Sequence, residues 1–216
     1  MIRAQKLLSC TFIFSFICLS FLHLTEADAG GYSARLKCRL MNKVNAFRQQ
    51  NGLSCMRRDT DLQRAAQQYA NWFANNITAK NPSNFGHESD GRTPTARALA
   101  AGYKPRRQTV KKIVTKHRRA DGSVVTKTVR KIRNYKFVGE NILYFQGRDI
   151  CTPGQFLTAS LVGWKNSPVH RKNMLIRSWS ATGVGVARNR KTKRCFGVQL
   201  FGTGRPGKAS CQVQCK

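Results

Sequence analysis

"WKNSPVHRKNML", Trp164 to Leu175, separates a helical apolar stripe from two strand-like runs. Inside it Pro168 opens a turn, and His170 stands beside Arg171 and Lys172 in a chain with four histidines. An imidazole in that setting either hydrogen-bonds backbone at the turn or lines a site, and the residues alone leave both readings open. Upstream, Thr152-Pro153 puts an N-cap before a first-turn proline and opens a helix carrying Phe156, Leu157, Leu161 and Trp164, which at that spacing read as core. Downstream, 181–188 and 194–201 read as paired strands, with Gly183 and Gly185 suited to close backbone approach.

The first half of the chain is helical by the same reasoning. Leu36, Leu40, Val44 and Phe47 form one stripe that Gly52 terminates, and a second helix starts near Thr60 with Leu62, Ala65, Ala66, Tyr69 and Phe73 inward. Thr93-Pro94 opens a short helix ended by Gly102. Helices before and between strands predict an α+β layered sandwich.

Residues 1–29 read as a signal peptide: Arg3 and Lys6, an apolar run from Leu7 to Leu24, then Ala27-Asp28-Ala29 as the cleavage pattern. This predicts a secreted, extracellular mature chain of residues 30–216, one domain, with no transmembrane segment after cleavage. Export suits the cysteines. Cys38, Cys55, Cys151, Cys195, Cys211 and Cys215 remain outside the leader and read as up to three disulfides, with the pairing left open. Asn76-Ile77-Thr78 is a glycosylation sequon, so Asn76 is expected at the surface.

The formal net charge is +30. The leader holds two cations and two acids, so its removal leaves that charge unchanged. Thirteen Lys or Arg against the single acid Asp121 fall between Lys104 and Lys136. Two β-branched runs there, 109–116 and 124–133, flank Asp121-Gly122, which predicts a basic β-hairpin inserted at about 104–136. Lys111, Lys112, Lys116, Arg118 and Arg119 on one arm, with Lys127, Arg130, Lys131 and Arg133 on the other, are the expected contacts to an anionic partner. That partner is read as acidic polysaccharide or phospholipid. Nucleic acid ranks lower, because the only aromatics are at the base: Tyr103, Tyr135 and Phe137.

Several chemistries are excluded by what the sequence lacks. There is no G-x-S-x-G elbow, no phosphate-binding loop or dinucleotide fingerprint, and no thiol left over once six cysteines pair. His87, Glu140 and His170 make a set that zinc or another divalent cation accepts, with Glu140 or Glu88 as base, so a metal-dependent hydrolase is the alternative function. A buried ion pair with an arginine is the competing role for Glu140.

Four words in order, "GHESDGRTPTARALAAGY" (86–103), "GENI" (139–142), "WKNSPVHRKNML", and "TGVGVA" (182–187) followed by "QLFG" (199–202), resemble the CAP superfamily of cysteine-rich secretory proteins, venom antigens and plant pathogenesis-related proteins. The resemblance runs from about Leu36 to Gly202 and leaves a Cys-containing tail, 203–216. It implies a three-layer α-β-α sandwich with the hairpin inserted, and a cleft in which His87, Glu140 and His170 are the metal candidates and Asn141, Ser167 and Arg171 are lining residues. Ser167 stands where the full family constellation has a glutamate, and Glu88 is the substitute acid. The implied function is non-enzymatic binding or defence with no required cofactor, extending to sterol or lipid as partner.

Overall fold

The computed structural model describes residues 27–77, 82–105, 113–129, 138–204, 210–212 and 214–215. Most of the expected signal peptide (1–26) lies outside them, as do Lys111, Lys112, Arg130, Lys131, Arg133 and Thr78 of the sequon.

Helix α1 (Ala27–Gln50) buries Leu36, Leu40, Val44 and Phe47, and the expected cleavage after Ala29 falls in its first turn. Gly52 at φ 68° ends it, with Gly52 N–H bonded to Gln49 O at 2.9 Å and Leu53 N–H to Arg48 O at 3.0 Å. After β1 (Arg57–Arg58), α2 (Thr60–Asn76) is capped by the Asp59 carboxylate, which accepts from Asp61 and Leu62 N–H. In α3 (Pro94–Ala100) the Thr93 hydroxyl caps as expected. In α4 (Pro153–Asn166) it does not: the Thr152 hydroxyl donates back to Asp149 O, so Pro153 marks that start without a side-chain cap. The turn at Pro168 is the first turn of α5 (Pro168–Met174).

One sheet runs β1-β5-β6-β4, with β4 (Val138–Gln146), β5 (Ala181–Asn189) and β6 (Arg194–Gly202) antiparallel and β1 parallel to β5. All nine residues of β6 are buried, because both faces are covered. Phe196, Val198 and Leu200 pack with α2 and α3, while Cys195 and Phe201 pack with α1 and α4. These are the three layers of an α-β-α sandwich.

Gly183 and Gly185 let α2 lie directly on β5. A Cβ at Gly183 would stand 2.1 Å from Gln63 N, and one at Gly185 2.2 Å from Ala66 C. On the other face Arg48 is fully buried and, among the described residues, pairs with no carboxylate. Its guanidinium donates to Ser54 O, Met174 O, Ile176 O and Trp179 O, and burial lowers its pKa to about 10.

The cysteines pair as Cys38–Cys215, Cys55–Cys211 and Cys151–Cys195, so two bridges fasten the tail to α1 and the segment after it. Strands β2 (Ile113–Arg118) and β3 (Val124–Val129) pair antiparallel in a separate two-stranded sheet. Their connection is the five residues 119–123, closed by Arg119 N–H to Ser123 O, rather than a two-residue Asp-Gly turn. Gly122 takes φ 82°, and Asp121 accepts from the Ser123 hydroxyl, which holds its carboxyl below the usual range. No helix among the described residues is long and apolar enough to cross a membrane.

Candidate functional site

The G-E-N word is a strand segment whose successive residues serve different neighbours. β4 is an edge strand, and period-2 alternation sends Glu140 toward α2 and α3 and Asn141 toward α5. Gly139 leaves room for Asn173, whose Oδ1 would lie 2.7 Å from a Cβ there. Asn173 Nδ2 donates to Glu140 O and to Asn141 Oδ1, both at 3.0 Å, and Asn141 Nδ2 donates to His170 O at 3.1 Å. Three consecutive residues of β4 therefore fix α5 on one side and hold the 86–92 loop on the other.

Arg97 organises that loop. From α3 its Nη2 reaches Glu140 Oε1 at 3.0 Å and Oε2 at 2.8 Å, and it also donates to His87 O at 2.8 Å. Nη1 donates to Asp90 Oδ1 at 2.7 Å and Arg92 O at 2.6 Å. The guanidinium carbon stands 3.5 Å from the centroid of the Tyr69 ring, whose hydroxyl donates to Gly86 O and accepts from Ser89 N–H. Arg97 is a lone charge in an alanine-rich helix and is 2% exposed, so the pair with Glu140 is buried. Sequence reasoning reaches Glu140 but not this partner, whose visible signal is a cation set among Ala96, Ala98 and Ala100.

Both histidines lie at the β4 edge, His87 against the Glu140 carboxylate and His170 with its backbone carbonyl on Asn141. His87 Nδ1 lies 2.9 Å from Glu140 Oε1. An ionised carboxylate only accepts, so Nδ1 carries the proton in this contact. His170 is half-buried, and burial lowers its pKa, with the nearby His87 charge as the second cause. Ser167 is half-buried at the start of α5, and its hydroxyl does not cap that helix. Arg171 places its guanidinium 5.3 Å from the Phe47 ring centroid on α1, and Glu88 is exposed on the turn.

A model of the cysteine-rich secretory protein family, CAP, matches residues 41–201. The chain belongs to the CAP family. No curated protein sequence matches it significantly. Among solved structures, the CAP domain is similar to an outer surface protein from Borrelia burgdorferi, at 17% identity and TM-score 0.51 over 77% of this chain and 90% of that one. It is also similar to an extracellular SCP-domain protein from Bacillus anthracis, at 20% identity and TM-score 0.49 over 80% of this chain and 40% of that one. A cysteine-rich secretory protein from Staphylococcus aureus gives 14%, 0.48, 79% and 39% for the same measures. This chain therefore spans well under half the length of the last two.

The donor chemistry at this β4 edge does not fit a metal held by His87, Glu140 and His170. Glu140 Oε1 accepts from both Arg97 and His87, and Oε2 accepts from Arg97, so a metal at either oxygen would compete with a buried ion pair. Among the described residues, no group of three or more His, Cys, Asp or Glu side chains could hold one metal ion. Asn76 is exposed at the end of α2. Arg118 and Arg119 are exposed at the tip of the β2–β3 pair.

Proposed function

We propose that this CAP-domain chain is a secreted, non-enzymatic binding or defence protein that attaches to anionic surfaces, acidic glycan or phospholipid, through its basic hairpin. The observation that carries the reading is charge placement: thirteen of the chain's cations and one acid lie within 104–136. Like charges that close cost stability in a strand pair, so a hairpin of that composition is best explained by a polyanionic partner. The pairing of β2 with β3 outside the main sheet, and the exposure of Arg118 and Arg119, support an arm that reaches a partner without disturbing the sandwich. Three disulfides support export to an oxidising compartment. The cleft beside His87 and His170 is the candidate place for a sterol or lipid, by family association alone.

The test is retention on heparin and on anionic vesicles of the oxidised chain against a variant with 104–136 replaced by a short Gly-Ser linker. Loss of retention at physiological salt is expected. Equal retention would reject the hairpin as the attachment element.

A further inference from the structure

At the opposite edge of the sheet from β4, a groove of about 300 Å³ runs between α1, β1 and α2. Its walls carry Lys37, Arg58 and Arg64, and its polar lining includes Gln63, Gln67 and Gln68, with no carboxylate among the lining residues. The volume is at the lower end of those that hold small ligands.

Two features distinguish this groove from an ordinary solvated surface. The first is rigidity. β1 is only two residues long and stops short of Val186, so Gln67 takes the place of a neighbouring strand there: its Nε2 donates to Val186 O at 2.8 Å and its Oε1 accepts from Val186 N–H at 3.3 Å. The same Oε1 accepts from Lys37 Nζ at 3.0 Å, which fixes the ammonium at the groove wall. The second is uncompensated charge. Among the described residues neither Lys37 nor Arg58 is ion-paired to a carboxylate, and Arg64 is shared between Asp61 at 3.2 Å and the Ala101 carbonyl. Lys37 is half-buried, and its pKa is lowered first by that burial and then by Arg58. Two unneutralised cations held side by side are stabilised by an anion placed between them.

The end of α2 does not supply this charge. Asp59 already accepts from the N–H groups of Asp61 and Leu62, so anion recognition in the groove falls to side chains.

We infer that the groove binds a sulfated or phosphorylated sugar unit, its oxyanions on Lys37 and Arg58 with Arg64 at the rim, and its hydroxyls on the amides of Gln63 and Gln68. The site uses none of the hairpin cations and is separate from the cleft over β4. It can therefore fail or hold independently of the proposed function.

The experiment is calorimetric titration of the intact, oxidised chain at low salt with two probes. A trisulfated heparin disaccharide represents a glycan source, and free inositol trisphosphate represents a lipid headgroup. Saturable binding of at least one probe, one per chain, is expected. Lys37→Gln/Arg58→Gln is expected to weaken it by roughly tenfold or more, because both cations that meet the oxyanions are lost. Arg190→Ser/Lys191→Ser, at exposed positions of the β5–β6 turn, should stay within about twofold, because these charges contribute only long-range attraction screened over a Debye length. If the double variant is unfolded by circular dichroism, Arg58→Gln alone, at an exposed side chain, must weaken binding measurably. No saturable binding of either probe, equal binding by the groove variants, or an equal loss in the turn variant would overturn the inference.

Discussion

The guanidinium of Arg97 is bound to both carboxylate oxygens of Glu140, at 3.0 and 2.8 Å, with both side chains almost wholly out of solvent. Removing either partner leaves a buried charge uncompensated and frees the loop that carries His87. Arg97→Met and Glu140→Gln are each expected to cost about 3–5 kcal/mol in urea denaturation. The double variant should cost less than the sum, because the pair is lost only once. Single losses under about 1 kcal/mol would show that the pair does not organise the loop.

Gly185 is the second sensitive point, because the obstacle to a side chain there is backbone. A Cβ would meet the carbonyl carbon and oxygen of Ala66 at 2.2 Å, and neither can rotate away. Gly185→Ala is expected to destabilise by about 3 kcal/mol or more, by pushing α2 off β5. An unchanged denaturation midpoint would mean that the helix does not rest on the strand.

Much of the fold is legible in the sequence, and the omissions have physical causes. The stripes of α1 and α2 and the Thr-Pro starts of α3 and α4 are readable because local chemistry fixes them. Strand β4 does not read as a strand: its Glu140 and Asn141 are both buried, so hydrophobic alternation is interrupted where the site lies. Arg48 and Arg97 are invisible as core residues, since composition marks arginine as surface and only tertiary carbonyls and carboxylates make them otherwise. The resemblance to CAP proteins locates His87, Glu140 and His170. It does not show that Glu140 is held by an arginine.

Stability below neutral pH should respond to His170. Its folded pKa lies below the ordinary histidine value of 6.5, so within the interval between them the unfolded chain binds more protons than the folded one. Stability therefore rises with pH across that interval and is lost as pH falls below 6.5. His170→Gln is expected to flatten this dependence in urea midpoints compared between about pH 7.5 and pH 5. The same acid loss in parent and variant would assign the effect to other groups.

The tail bridges should matter individually. Cys38–Cys215 and Cys55–Cys211 close loops of 177 and 156 residues in sequence separation. Cys55→Ser/Cys211→Ser is expected to lower stability by about 2–4 kcal/mol while the Cys151–Cys195 bridge persists. A cost near zero would mean that Cys55–Cys211 adds nothing to the constraint that Cys38–Cys215 already imposes.

The most direct measurement of attachment by the hairpin is the salt dependence of heparin affinity, taken as the slope of log K against log salt. Arg118→Ser/Arg119→Ser should reduce that slope by roughly one for each cation that no longer neutralises a sulfate, and replacement of 104–136 should remove most of it. A slope that is the same in the parent and in the chain lacking 104–136 would contradict attachment through the hairpin and place the anionic contact elsewhere on the domain.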